Sequence, residues 1–381
     1  MKIALVILHA DPARGGAERY TIDLAMALMG RGHDVTLVAS SFCGEVVANR
    51  AHLPAKAITR LGQYVKFLNA LDVHFTSHSY DIIHAMLPIR RCDVYHPHAG
   101  LAVEGIESGH VKYDGIRRQL AGIANRFNPK RRRFASVERD LLNAASPPVV
   151  LCLSEYIKAT VRKHYSLPER NLATLFNAVD LKKFDPAARA DARAVIRQQF
   201  NIHADQVVAL MIAQDFRRKG LTSAIVMLPR DDKRMVLLVV GKEKTTLYEQ
   251  IAKHAGIEDR IIFAGPTKDP YAFYKAADFF VLPTRHDPCS LVVLEALAMG
   301  VPVVSTNSNG ACEIMIDGTH GFVIDGQQPS KMLLECYRKM LDNPARRKMS
   351  EACLSLRPQL SQEHHLDRLL EAYSRVKSNQ T

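Results

Sequence analysis

A chain of 381 residues is too long for one average hydrophobic core, so two domains are expected. Its 47% hydrophobic and 24% charged residues suit a soluble globular protein, and no uninterrupted apolar run approaches the ~20 residues that span a bilayer. The formal net charge of +12 points to an anionic partner, while seven scattered cysteines without CxxC spacing suit free thiols in a reducing cytosol better than a disulfide or zinc framework.

The first predicted element is a buried strand at 2–8. It reads as a strand rather than a signal peptide because its apolar stretch is short and runs straight into His9, Asp11, Pro12 and Arg14. Gly15-Gly16 then opens a helix predicted at 17–29, where unpaired N–H groups and the helix dipole favour an anion; a plain turn is the alternative. The pattern is not GxGxxG, which argues against a dinucleotide dehydrogenase. Strands follow at 34–38 and 81–84, and then Asp93-Val-Tyr-His-Pro-His-Ala-Gly100. A His-x-His pair can begin a metal site, but neither HExxH nor a matching carboxylate cluster accompanies it. Residues 1–180 hold 23 Lys+Arg against 16 Asp+Glu, a surplus of 7, and 110–140 alone hold nine against three. This stretch contains Lys130-Arg131-Arg132-Arg133 and suits an anionic membrane surface, a phosphorylated acceptor or simply a solvated helix face. Nucleic acid ranks last, because no zinc-finger, RNA-recognition or basic-zipper pattern is present.

A strand at 148–153 and a helix at 156–165 lead into 167–201, which is rich in Pro, Asn, Asp and charge, as a domain boundary should be. The alternation then restarts, with strands predicted at 207–212, 235–240, 261–263, 279–282 and 301–305 and helices at 271–276, 291–299 and 331–341. Apolar strands alternating with helices predict an α/β chain of two Rossmann-like, doubly wound domains facing across a cleft. The expected division is 1–175, 176–362 and a C-terminal helix at 363–381 returning to the first domain. Ligands of such sheets bind at the carboxyl ends of the strands.

Two segments of the second half carry candidate chemistry. Gln214-Asp-Phe-Arg-Arg-Lys-Gly220 places three cations at a strand end, suited to a diphosphate or to an exposed turn. Asp287-Pro288 is a natural N-cap and first-turn pair, so the next helix is expected to begin there, with amides around Cys289, Ser290 and Leu291 turned to the cleft. Glu295, about two turns on by helix pitch, would be costly to bury without vicinal hydroxyls or a cation as partner.

These features, taken with Ala-Glu-Arg after Gly16, Arg31-Gly-His-Asp-Val35, Asn177-Ala-Val-Asp180, Phe184, Ala277-Asp278, Pro283, Gly300-Val-Pro-Val-Val304, Gly310-Ala-Cys-Glu313, Gly318 and Gly321, resemble the retaining glycosyltransferases of the GT-B architecture, family 4. The resemblance runs nearly end to end. It implies a metal-independent, cofactor-free hexosyl transfer from a nucleotide-sugar donor. Gly15 and Gly16 would approach the donor diphosphate, and Arg218 and Lys219 would neutralise it as it leaves. Asp287 would hold the transferring sugar, Glu295 the ribose hydroxyls, and Gly265 would sit by the base; Cys289, Ser290 and Leu291 complete the donor site. His98 would face donor sugar and acceptor, with His96 as its rival. Asp287 stands where the family usually has glutamate, and Ser290 where a glycine is common, so both departures surround the sugar. No Asp-x-Asp triplet occurs, which counts against the metal-dependent single-domain transferases.

More narrowly, Asp93-Val-Tyr95 and Asp215-Phe216 resemble the bacterial glucosyltransferases of the lipopolysaccharide inner core. The aspartate proposed for catalysis in those enzymes aligns with Ala99, so their mechanism does not transfer there. The resemblance implies UDP-glucose as donor and a glycolipid or lipopolysaccharide-core acceptor, on the cytoplasmic face of the inner membrane. Two rivals share the architecture: a nucleotide-sugar 2-epimerase, and a sugar-nucleotide-binding regulator without transfer activity.

Overall fold

The computed structural model describes residues 1–44, 48–98, 100–107, 128–326 and 329–378. Ala99 and positions 110–127 of the basic stretch lie outside the described residues. The chain forms two compact units: Met1–Leu175 together with Leu366–Thr381, and Phe176–His365.

In the first unit a seven-stranded sheet has the order β5-β3-β1-β6-β7-β8-β9, with β1 (Lys2–Val6), β3 (Asp34–Ala39), β5 (Asn49–His52), β6 (Ile82–Ala85), β7 (Val94–Tyr95), β8 (Val149–Cys152) and β9 (Leu172–Thr174). A separate two-stranded ladder joins β2 (His9–Ala10) to β4 (Ser41–Phe42). All pairs of the main sheet are parallel. The central strand β1 is fully buried from Ile3 to Val6, so apolar residues occupy both of its faces rather than alternating. One face packs on the Gly16–Gly30 helix through Ile22, Ala25 and Leu28, and on the last helix through Leu369 and Tyr373. The other face packs on the Arg60–Ser77 helix through Tyr64, Phe67 and Leu71.

The second unit holds a six-stranded parallel sheet in the order β12-β11-β10-β13-β14-β15. Its strands are β10 (Val207–Ile212), β11 (Met235–Val240), β12 (Ile261–Gly265), β13 (Phe279–Leu282), β14 (Val303–Thr306) and β15 (Gly321–Ile324). Numbered within each main sheet, both units share the spatial order 3-2-1-4-5-6, extended by a seventh strand in the first, the doubly wound arrangement expected from the sequence. The order reverses between β1 and β6 in the first unit and between β10 and β13 in the second. Loops leaving the carboxyl ends of those strand pairs therefore splay apart and leave room for ligands.

The short strands β5, β7, β9 and β15 were not among the expected ones. Asn49-Arg-Ala-His52 is polar, and a two- to four-residue strand has too little pattern to stand out. Local capping explains several helix starts. The side chains of Thr59, Asn128, Ser154 and Asp342 each accept a hydrogen bond from the backbone N–H three residues on. None of the described helices is long and apolar enough to cross a membrane.

Candidate functional site

The second unit brings most of the expected donor residues to its switch point. After β10 the chain turns through Asp215–Lys219 to Gly220, and after β13 it passes through Pro283–Ser290. Gly220 adopts φ +83°, and a Cβ there would lie 2.1 Å from the Pro283 carbonyl oxygen, so only glycine lets the two loops approach this closely. The loops are then stitched together. Arg285 N–H and the Thr284 hydroxyl donate to the Arg218 carbonyl at 3.0 and 3.2 Å, and the Arg218 Nη1 donates to the His286 carbonyl at 2.9 Å. Asp215 completes the turn, accepting from the Arg218 amide at 3.1 Å and from its Nε at 3.3 Å.

Lys219 Nζ is ion-paired with Asp287 Oδ2, and the two side chains are only 12% and 10% exposed. Burial lowers the Lys219 pKa, and the Asp287 charge opposes that shift. The expected phosphate ligand and the expected sugar ligand therefore already touch each other. The cation–carboxylate pair is thus preformed in a partly desolvated loop crossing, where charges act more strongly than in water.

The helix following Asp287 does not begin there, contrary to the N-cap expectation. It spans Leu291–Ala298, with Ser290 in the cap position. Asp287 is held by a different neighbour: its N–H donates to the Ser308 carbonyl at 2.9 Å, and its carbonyl accepts from Gly310 N–H at 3.0 Å. Asn309 then accepts from the Ser290 amide at 3.3 Å, so this amide is not turned to a ligand as expected. Asn177 donates to the Cys289 carbonyl at 3.1 Å, fixing the same segment from the other side. Burial pushes the Cys289 thiol up to about 12, which leaves it un-ionised and makes its contribution one of backbone shape. Leu291, 40% exposed, opens the helix with no intrahelical acceptor for its amide.

Glu295 projects from the same helix and is half-buried. Its Oε2 accepts from the Tyr274 hydroxyl at 2.8 Å, and burial raises its pKa to about 7 despite that bond. Among the described residues no salt bridge to Glu295 is found; the Tyr274 hydroxyl supplies the hydrogen-bond partner, and only the charge of Lys183 acts on it as a cation. Gly265 ends β12 with φ +75° and open space where a side chain would be, and its carbonyl accepts from Gly241 N–H at 3.0 Å. Sequence reasoning missed Tyr274, Thr284 and Asn309, because each acts through a partner distant along the chain.

In the first unit Gly15 caps the Gly16–Gly30 helix, and a Cβ on Gly16 would meet nothing within 4 Å. A Cβ on Gly15 would lie 3.0 Å from Glu18 Oε2, so the anion-favouring helix start already carries its own carboxylate. The two histidines separate clearly. His96 is fully buried, its ring 5.5 Å from that of His84, whose Nδ1 lies 2.6 Å from the Tyr373 hydroxyl. His98 is partly exposed and packs 4.5 Å from the Tyr20 ring. The pair gathers no third metal-ligating side chain among the described residues. A cavity of about 740 Å³ opens beside this region, at the ends of β1 and β6, with Arg14, Arg60, Lys130 and Arg131 in its wall. Neither His98 nor the glycine pair lines it.

Both units match known protein families. Residues 14–183 match the family described as Glycosyltransferase Family 4, and residues 192–353 match Glycosyl transferases group 1. The lipopolysaccharide glucosyltransferase WaaG of Escherichia coli (strain K12) is 25% identical over 333 residues, covering 86% of each chain. A D-inositol 3-phosphate glycosyltransferase of Thermobifida fusca (strain YX) is 25% identical over 414 residues, covering 98% of this chain and 93% of that one. Among solved structures, WaaG superposes with a TM-score of 0.75 at 23% identity, covering 97% of this chain and 98% of that one. Anabaena Alr3699/HepE in complex with UDP-glucose gives a TM-score of 0.70 at 19% identity, with 98% and 99% covered.

Proposed function

Because the chain belongs to the family 4, group 1 glycosyltransferases and has their GT-B fold, we propose that it transfers glucose from UDP-glucose, with retained anomeric configuration, to a glycolipid or lipopolysaccharide-core acceptor. The observation that carries this reading is the buried Lys219–Asp287 pair beside Arg218, in the loops that lead into the helix bearing Glu295.

Departure of the nucleotide diphosphate concentrates negative charge on its oxygens. Arg218 and Lys219 supply fixed positive charge where that charge grows, in the place a metal would otherwise take. Asp287 orients Lys219 and accepts hydroxyls of the transferring sugar. Glu295, once ionised, accepts from the ribose hydroxyls. The leaving phosphate takes the acceptor proton, since no carboxylate pair suited to double displacement lies among these residues. Support for the donor comes from HepE, solved with UDP-glucose; support for the acceptor comes from WaaG, named as a lipopolysaccharide glucosyltransferase.

The test is transfer from UDP-glucose to lipopolysaccharide-core and glycolipid extracts in EDTA, with the product anomer read by NMR. An α-linked glucoside is the expected product. A β-linked product, or dependence on added divalent metal, would overturn the mechanism. Lys219→Ala should lower turnover by roughly 10²-fold or more, the scale for losing one preorganised charge-stabilising group.

A further inference from the structure

Five rings of the first unit meet in one continuous column that the donor chemistry above does not use. Tyr373 of the last helix sets its hydroxyl 2.6 Å from His84 Nδ1, with the two ring centroids 5.7 Å apart and edge-on. The His84 ring stacks on that of His96 at 5.5 Å and 19°, and both residues are fully buried. His96 meets Tyr20 edge-on at 5.3 Å and lies 5.2 Å from the His98 ring, while Tyr20 lies 4.5 Å from His98. Tyr20, His96 and His98 therefore form a triangle of rings, backed by His84 and Tyr373. A buried imidazole gains less from leaving water than an aliphatic side chain of its size, so two of them beside apolar strands serve stability poorly.

The backbone is tied to β6 at His96, whose N–H donates to the Ala85 carbonyl at 2.8 Å. Beyond it the chain turns sharply around Pro97, and the His98 N–H donates back to the His96 carbonyl at 2.7 Å. The His98 side chain thus starts from a turn rather than a strand, and the rings beside it set its orientation. Tyr20 reaches it from the Gly16–Gly30 helix, about one turn past the glycine pair. We propose that Tyr20 and His96 are positioning residues that hold the His98 imidazole between them, with His84 and Tyr373 fixing His96 from behind. A tyrosine ring suits this task, because it offers a large rigid surface with few torsions to freeze. A group held in its working orientation before substrate arrives costs the reaction no further ordering. The proposal rests on the reading in which His98 faces the transferring sugar, and Tyr20 and His96 act through it.

The test has two arms on the full chain, one of turnover and one of histidine NMR. With UDP-glucose as donor, Tyr20→Leu should lower kcat roughly tenfold or more while KM stays within about twofold, the signature of a misplaced reacting group. Tyr20→Phe keeps the ring and should retain turnover within about threefold. Leu28→Val, about two turns further along the same helix, controls for stability and should leave turnover unchanged. Because Tyr20 acts through His98, adding Tyr20→Leu to His98→Ala should cause no further loss. Full additivity in that cycle, equal loss in Leu28→Val, or normal turnover of His98→Ala overturns the proposal. In the second arm the His98 ring Hε1 signal, assigned by its absence in His98→Ala, should be single and narrow in wild type and Leu28→Val but broadened or split in Tyr20→Leu. An unchanged narrow signal in Tyr20→Leu overturns the positioning role whatever the kinetics show. Failure of wild type to transfer glucose sinks the glycosyl-transfer reading instead, and the NMR arm still decides whether Tyr20 holds His98.

Discussion

At the scale of single residues, Glu295 carries the clearest pH signature. Its pKa is raised from 4.5 to about 7, so the folded protein favours the protonated form. The stability this confers is fully present below pH 4.5 and is lost as pH rises through 7, a swing of about 3 kcal/mol by linkage. The melting temperature of donor-free protein should therefore fall between pH 5 and 8 in wild type and much less in Glu295→Gln. Donor affinity should run the opposite way, rising through pH 7 as the carboxylate ionises and accepts ribose hydroxyls; a flat profile would remove Glu295 from the donor site. The Lys219–Asp287 pair calls for a double-mutant cycle. Removing Lys219 alone strands a buried carboxylate, at a cost of roughly 3–5 kcal/mol, whereas removing both partners leaves no unpaired charge. Lys219→Ala/Asp287→Ala should accordingly unfold at a higher temperature than Lys219→Ala.

At the scale of elements, the site depends on how tightly two loops cross. Gly220→Ala forces a left-handed backbone on alanine and drives its Cβ into the Pro283 carbonyl. Left-handed strain alone costs about 1 kcal/mol, and the overlap adds to it. Melting should drop by several degrees, and turnover should fall further than stability does, because the crossing positions Arg218 and Lys219. A substitution tolerated without loss of turnover would show that this close approach is dispensable. The misplaced helix start belongs to the same scale. Asp287-Pro288 has local N-cap chemistry, yet the ladder to Ser308–Gly310 captures Asp287 first, and the helix waits until Leu291. A short-range capping preference is worth about 1 kcal/mol, and two backbone hydrogen bonds with a buried asparagine outweigh it.

At the scale of the whole molecule, the chain leaves the first unit at Leu175 and re-enters it at Leu366. The last helix contributes Leu366, Leu369, Ala372, Tyr373 and Val376 to the same core as β1 and β3. Truncation after His365 should expose that apolar face and drive the protein into aggregates, as read by size exclusion. Tyr373→Phe removes only the hydrogen bond to His84 and should cost about 1 kcal/mol or slightly more. Soluble, fully folded truncated protein would show that the helix is an accessory. Glu138 plays a comparable part within the first unit. It is fully buried and accepts from the hydroxyls of Tyr95 and Tyr165 at 2.6 and 2.9 Å and from the Ala102 and Val103 amides at 2.8 and 3.2 Å. Nothing in the run Ser136-Val-Glu-Arg139 distinguishes it from a solvated helix glutamate.

The sequence by itself determined the doubly wound α/β architecture, because fully buried parallel strands must be continuously apolar and the covering helices must be amphipathic. It also singled out the loops proposed to carry chemistry, since glycine, arginine and carboxylate at strand ends have few purely structural uses. Only the tertiary structure decided partnerships: that Lys219 meets Asp287, that Tyr274 rather than a cation serves Glu295, and that Arg60 joins Lys130 around one cavity. These contacts link positions 21 to 70 residues apart. No local pattern encodes them; they follow from strand order, which folding settles by burying the sheets.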